Sequence, residues 1–195
     1  KPFIQSPALS HGIKFEDVAV KIYEKRTDTI IDEFGCLPHL YIPFFGASPD
    51  GIVNDKSKNK DMVGRMLEIK CPKSRTITGI IPPGYYAQMQ GQLEVCDLEY
   101  CDYLECEIRE YDNKSEFFKD SLPDNTLLRG NGNEKGVLVE IYDTTLKKHL
   151  YYYNYEMFSN NEELEKWEEP LINTNLKRAN VQQNWTKKQL LEYSK

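Results

Sequence analysis

Asp50 stands in the turn sequence Ser48-Pro49-Asp50-Gly51, Glu68 and Lys70 stand two apart in the run Arg65 to Cys71, and Gln88 follows in Gly84-Tyr85-Tyr86-Ala87-Gln88. The apolar run reads as a short strand, and strand side chains alternate faces, so Glu68 and Lys70 share one surface while Leu67 and Ile69 take the other. Pro49 fixes φ and Gly51 permits a tight reversal directly after a second apolar run, Tyr41 to Phe45. If the two runs are neighbouring strands, Asp50 arrives beside Glu68. Two carboxylates converging with a lysine are what metal-assisted phosphodiester cleavage requires. Mg²⁺ takes hard oxygen ligands and keeps several waters, so Asp50, Glu68 and the Ile69 carbonyl can anchor it and leave room for a phosphate oxygen and a water, with Mn²⁺ as a substitute. Lys70 would orient that water or stabilise the attacking hydroxide.

An acidic residue, any residue, then lysine occurs by chance about twice in a chain this rich in charge, so the triplet alone is weak. Asp112-Asn113-Lys114 has the same spacing in a polar stretch with no strand pattern and no preceding Pro-Asp turn. A surface ion pair on a strand would explain Glu68 and Lys70 alone, at almost no energetic value. It leaves Asp50 and Gln88 without a reason.

Taken together, Ser48-Pro49-Asp50, Glu68-Ile69-Lys70-Cys71-Pro72 and Ala87-Gln88-Met89-Gln90 resemble the signature of the PD-(D/E)xK nucleases. Within that superfamily their order and wording resemble the lambda exonuclease and YqaJ viral-recombinase family. The resemblance covers roughly residues 10 to 110, and it implies an α/β restriction-endonuclease-like core, a mixed central β-sheet flanked by helices. It also implies that Gln88 is the active-site glutamine. Gly12-Ile13-Lys14-Phe15-Glu16 resembles the family's helix opening, in which the glutamate, here Glu16, is a metal ligand, direct or through water. The implied activity is Mg²⁺-dependent digestion of linear duplex DNA from a free 5′ end in recombination or genome processing. A homotrimer and a single-strand annealing protein are the implied partners. Two readings compete: an endonuclease or single-strand nuclease on the same core, since one fold hosts many specificities, and a catalytically silent DNA-binding or partner-binding module. Intact Asp50, Glu68 and Lys70 weigh against silence.

The elements that position these groups follow from periodicity. Ser10 or its neighbours would cap a helix starting near His11, after an irregular first stretch, and Phe15, Val18, Ala19 and Ile22 make its buried stripe through about Lys25. Thr29–Phe34 and Leu40–Phe45 read as short strands, and 54–61 as a polar hairpin loop. Pro82 and Pro83 mark the start of a second helix with Tyr86, Met89, Leu93 and Cys96 as core stripe. Tyr85, Gln88 and Gln92 then share the adjacent face. A neutral amide near a metal-bound water can both accept and donate, which suits Gln88, and Tyr85 or Tyr86 could pack on a sugar or base. Strands are expected over 101–110, 136–142 and 149–155, the last two joined around Asp143-Thr144-Thr145, with a loop over 113–134. An acidic helix over 162–169 precedes a final short helix opened by Thr186 and Gln189 as a capping box.

A chain of 195 residues suffices for a single domain, here a motif-bearing core with C-terminal strands and helices over 111–195. The net charge of −6 argues against a generic nucleic-acid coat. Between Val53 and Ile80, however, seven basic residues face three acidic ones. Lys73 and Arg75, just past the triplet, are the expected phosphate contacts, with Ser48, Tyr85 and Gln92 as further contacts to DNA. Five cysteines without zinc-like pairing read as reduced thiols of an intracellular protein, cytoplasmic or nuclear, with Cys106 a buried free thiol on the face of Leu104 and Ile108, and the spacing does not suit an iron–sulfur cluster. His11, His39 and His149 read as structural or surface residues, and no apolar run is long enough to span a membrane.

Overall fold

The computed structural model describes residues 6–143, 146–176 and 189–194. The chain divides into two compact units, Lys1–Cys106 with Tyr193–Lys195, and Glu107–Glu192. The first opens with α1 (Pro7–Thr27), whose cap is Ser6 rather than Ser10: the Ser6 hydroxyl accepts from the Leu9 N–H at 3.2 Å. Pro7 follows at the first helical position, where its missing N–H costs nothing. Phe15, Val18, Ala19 and Ile22 are buried as their spacing demands, and each large apolar side chain contributes roughly 1.5–3 kcal/mol. The helix ends at Asp28, whose left-handed backbone (φ 56°) lets its N–H reach the Glu24 carbonyl.

β1 (Ile31–Asp32) lies inside the first predicted strand. The second predicted strand does not form. Leu40–Phe45 is instead the loop of a small hairpin between β2 (Leu37–Pro38) and β3 (Gly46–Ala47), with Phe44 93% exposed. Pro43 removes a ladder donor from the run, and His39 Nδ1 accepts from the N–H groups of Tyr41 and Ile42 at 3.0 and 3.2 Å, which rolls the chain into a turn. The strand that carries Asp50 to the site is therefore β4 (Gly51–Val53). It pairs antiparallel with β1 on one side and with β5 (Met66–Lys70) on the other.

After β5 comes α2 (Pro83–Cys96), starting at the proline pair as expected, and then β6 (Cys101–Arg109), which runs parallel to β5. The order β1-β4-β5-β6, with one parallel and two antiparallel pairings, is a mixed sheet flanked by helices. Only Met89 of the predicted α2 core stripe is buried; the buried set is Met89, Gln92 and Val95, and Tyr86 is 55% exposed. Apolar spacing alone does not mark the inner face of this helix, because Gln92 turns inward to buried polar partners.

In the second unit β7 (Lys135–Asp143) and β8 (Lys148–Asn154) form the expected antiparallel hairpin, with residues 144–145 of its turn outside the described residues. The predicted loop over 113–134 contains α3 (Lys114–Lys119), capped by the Asn113 side chain, which accepts from the Glu116 N–H at 3.0 Å. Phe117 from α3 meets Val137, Phe158 and Leu164 in a core cluster. The acidic helix is α4 (Asn161–Leu176). Thr186 of the expected capping box lies outside the described residues, and Gln189 opens β9 (Gln189–Ser194), a strand paired with β7, not a helix.

Candidate active site

β5 lies between β4 and β6 with both of its faces covered, so the polar side chains at its C-terminal end need partners. Glu68 is 0% exposed. Its Oε1 accepts from Lys70 Nζ and, at 2.8 Å, from Gln88 Nε2; its Oε2 accepts from Gln92 Nε2 at 2.9 Å. Glu68 and Lys70 do share a side of the strand, but the pair is not on an open surface. A buried carboxylate is tolerated only with such donors.

Asp50 reaches this end of β5 because β4 and β5 pair through Gly51 and Leu67. One residue earlier the ladder stops, and the Asp50 carboxylate accepts the Ile69 N–H at 2.6 Å in its place. Gly51 is needed for a different reason than the expected reversal. A Cβ there would stand 2.2 Å from the Ile31 Cγ2 on β1, so only glycine lets the two strands close.

A cleft of about 530 Å³ opens over these groups, with Glu16, Asp50, Ile69, Lys70, Tyr85 and Gln88 around it. Burial, then the Asp50 carboxylate, pushes Glu16 up to about 7, with Lys70 opposing. Burial and then Glu68 push Asp50 up to about 6, against the Ile69 N–H and Lys70. Three acids are thus linked electrostatically in sequence, and one lysine does not neutralise them.

Lys73, Ser74 and Arg75 form another part of the cleft wall. Arg75 is ion-paired to Glu105, which is buried and also accepts from the Tyr103 hydroxyl at 3.0 Å. The Tyr85 ring lies 5.0 Å from Lys70 Nζ and 5.8 Å from the Arg75 guanidinium, so its face is shared by two cations. Glu105 and Tyr103 were not legible as site residues. Lys70 and Glu105 are register partners on parallel strands, a pairing that leaves no local signal.

Two expected DNA contacts stand elsewhere. Gln92 is 5% exposed and bonds inward to Glu68 and to the Ser48 carbonyl (3.2 Å). Ser48 is exposed, does not line the cleft, and supplies that carbonyl. The basic segment also divides: Arg65 is held by Asp102 at 2.9 Å and Lys60 by the Asp55 carbonyl at 2.6 Å, while Lys70, Lys73 and Arg75 line the cleft.

The donor set suits a hard cation, since the carboxylates of Glu16 and Asp50 line one cleft together with Ile69, and a divalent charge would relieve the repulsion that, after burial, raises both acids. Among the described residues no three acidic, histidine or cysteine side chains are already drawn together as ligands. In this state Glu68 is engaged by Lys70 and the two glutamines.

The chain is 37% identical over 187 residues to an uncharacterized protein of Acanthamoeba polyphaga mimivirus, a match covering 85% of this chain and 34% of that protein. The chain therefore spans about a third of this relative's length. Among solved structures it is similar to the alkaline exonuclease LHK-Exo from Laribacter hongkongensis, at 25% identity and a TM-score of 0.45 over 88% of this chain and 68% of that one. The same enzyme in complex with dAMP gives 25% identity and 0.45 over 90% and 69%. The family model of the YqaJ-like viral recombinase domain matches residues 1–99, the part that contains Glu16, Asp50, Glu68, Lys70 and Gln88. The chain belongs to the YqaJ-like viral recombinase domain family.

Proposed function

We propose that this chain is a Mg²⁺-dependent deoxyribonuclease that degrades linear duplex DNA from its ends. The observation that carries this reading is the convergence of Glu16, Asp50, Lys70 and Gln88 on one cleft, with buried Glu68 bonded to Lys70 and Gln88 behind them and two of the acids held above their ordinary range. Asp50, Glu68 and the Ile69 carbonyl would hold the cation, with Glu16 beside them. The bound cation supplies Lewis acidity at a phosphate oxygen and lowers the pKa of a water. Lys70 Nζ, held between Glu68 and the Tyr85 ring, donates to the attacking oxygen and steadies its negative charge. Gln88 keeps both an acceptor and a donor at the same place. Lys73 and Arg75 bind backbone phosphate, and Glu105 keeps the Arg75 guanidinium at the wall.

The 5′ to 3′ direction, the homotrimer and an annealing-protein partner belong to this proposal on family resemblance alone. Five free cysteines support a reducing compartment, in the host cell if the protein is viral. Among the described residues no helix is long and apolar enough to cross a membrane.

One gel tests the reading: end-labelled linear duplex, closed circular duplex and single strand, each with Mg²⁺ and with EDTA. The expected result is Mg²⁺-dependent loss of linear duplex with the circle intact. Cleavage of the circle would select an endonuclease, and binding without cleavage the silent module. Full activity in EDTA would remove the metal mechanism.

A further inference from the structure

Between β5 and α2 the chain spends residues 71–82 on a connection without regular structure. Neighbouring elements are commonly joined by about 2–6 residues, and longer ordered connections are most often functional. Its first stem carries Pro72, Lys73, Ser74 and Arg75 along the cleft wall, and its second leads through Pro83 to Tyr85 on the same cleft. Gly79, at φ 74°, bends the chain between the stems, and the Thr78 hydroxyl accepts the Ile80 N–H at 3.3 Å. At this bend stand Ile80, 73% exposed, and Ile81, 39% exposed. Turns are ordinarily built from polar residues and glycine, so two isoleucines that add nothing to the core need another reason. The charge around them is one-sided. From Ile69 to Leu93 there is no aspartate or glutamate, while Lys70, Lys73 and Arg75 are present, in a chain of net charge −6. The other exposed apolar tip, Leu40–Phe44, has the opposite setting: residues 27–55 hold five acids and no lysine or arginine. A polyanion is drawn to the first tip and repelled by the second.

We propose that the Thr78–Pro82 tip is a second DNA-contacting surface outside the cleft, with Ile80 and Ile81 resting on base edges in the minor groove of the duplex whose backbone Lys73 and Arg75 hold. The proposal rests on the reading of the cleft as a DNA-cleaving site and adds what the site reads beyond phosphate. Cations on the stem and apolar side chains at the tip match the two parts of a groove, phosphates at its rim and bases at its floor. Apolar residues such as isoleucine are a common means of entering the minor groove against base steps. Ile80 follows Arg75 by five residues, a reach of at most about 18 Å. At roughly 3.4 Å per nucleotide, the contact falls within about five base pairs of the phosphate at Arg75. A single strand has no groove to enter, so the tip favours duplex over single strand.

The test is fluorescence anisotropy of the full chain in Mg²⁺, with labelled linear duplex and labelled single strand, both carrying phosphorothioate ends that resist cleavage. Wild type is compared with the double variant Ile80→Ser/Ile81→Ser and with Ile80→Leu, which keeps the apolar contact. The double variant should lose about tenfold or more in duplex affinity, the order expected for two apolar side chains no longer buried on the ligand. Its single-strand affinity and the salt slope of its duplex binding should stay as in wild type, because no phosphate contact is removed. Ile80→Leu should bind as wild type does, and melting temperatures should not move, since both positions are exposed. A 2-aminopurine placed in the first five base pairs should change its emission on binding wild type and not on binding the double variant. Unchanged duplex affinity would overturn the proposal, and so would a loss accompanied by a smaller salt slope, which marks a phosphate contact. In either case a reduced slope in Lys73→Ala would leave the DNA reading of the cleft standing. Wild type that binds no duplex would overturn that reading and the proposal together.

Discussion

Two clusters of buried charge in this chain are built on opposite terms. In the second unit Lys135, 4% exposed, gives its three ammonium protons to the Phe117 carbonyl, the Asp120 carbonyl and the Ser121 hydroxyl, and it sits over the Phe117 ring. It closes the C-terminal end of α3, where unpaired carbonyls want a cation. Burial works to raise the nearby Asp120, but bonds from Arg129, Tyr111 and the Gly130 N–H outweigh it and hold that carboxyl below its ordinary value. In the first unit one lysine faces three acids, and burial together with their mutual repulsion raises two of them. A saturated cluster is a structural device. An unsaturated one facing a cleft leaves charge that an incoming ion or substrate can pair, which makes it the candidate site.

The largest expected effects come from the unsaturated cluster. Lys70→Ala should depress single-turnover cleavage of duplex DNA by about 10²–10⁴-fold, the range for losing a group that acts on a proton in the transition state. Its Mg²⁺ affinity, read by calorimetry, should be retained. Glu68→Ala should abolish cleavage and weaken Mg²⁺ binding together. Because Glu68 is fully buried with three donors, it should also cost about 3–5 kcal/mol in urea unfolding. Lys70→Ala cutting at the wild-type rate would reduce the triplet to a structural ion pair and erase the contrast between the clusters.

Next in size is the saturated cluster. Lys135→Met should destabilise the second unit by about 3 kcal/mol, since acceptors buried around it lose their donor, and should leave Mg²⁺ affinity unchanged. A change in metal affinity would show that the two clusters are not independent.

The smallest effects are graded. Arg75→Ala should weaken DNA binding and reduce its salt slope by about one phosphate contact. Metal-free stability should also respond to pH with opposite slopes in the two clusters. Glu16 and Asp50 have folded values near 7 and 6, above their unfolded ones, so between the ordinary carboxylate range and about pH 7 the folded chain binds more protons than the unfolded. Their contribution falls as pH rises through that window. Burial lowers Lys135 to about 8, so there the unfolded chain binds more protons and its contribution rises with pH above that value. Glu16→Gln should flatten the acidic limb in pH-dependent melts, and an unaltered limb would place the titration elsewhere.

Sequence alone determined which four residues meet at the candidate site, because each member is marked by its neighbours. Pro49 and Gly51 bracket Asp50, alternation puts Glu68 with Lys70, and the proline start of α2 sets the phase that brings Gln88 to the same place. It also determined the α1 stripe and the β7–β8 hairpin, where periodicity and burial agree. Only the tertiary structure decided how deep the groups lie and what holds them. Glu68 is buried because both faces of β5 are covered, and alternation says which residues share a face, not whether that face is open. Gln92 turned from surface to core because its partners come from β5 and the Asp50 turn, far off in the chain. Leu40–Phe45 was apolar enough for a strand, yet a proline and the two hydrogen bonds to His39 made it a loop. Glu105 became the anchor of Arg75 through parallel strand register alone, and register is fixed by the sheet as a whole.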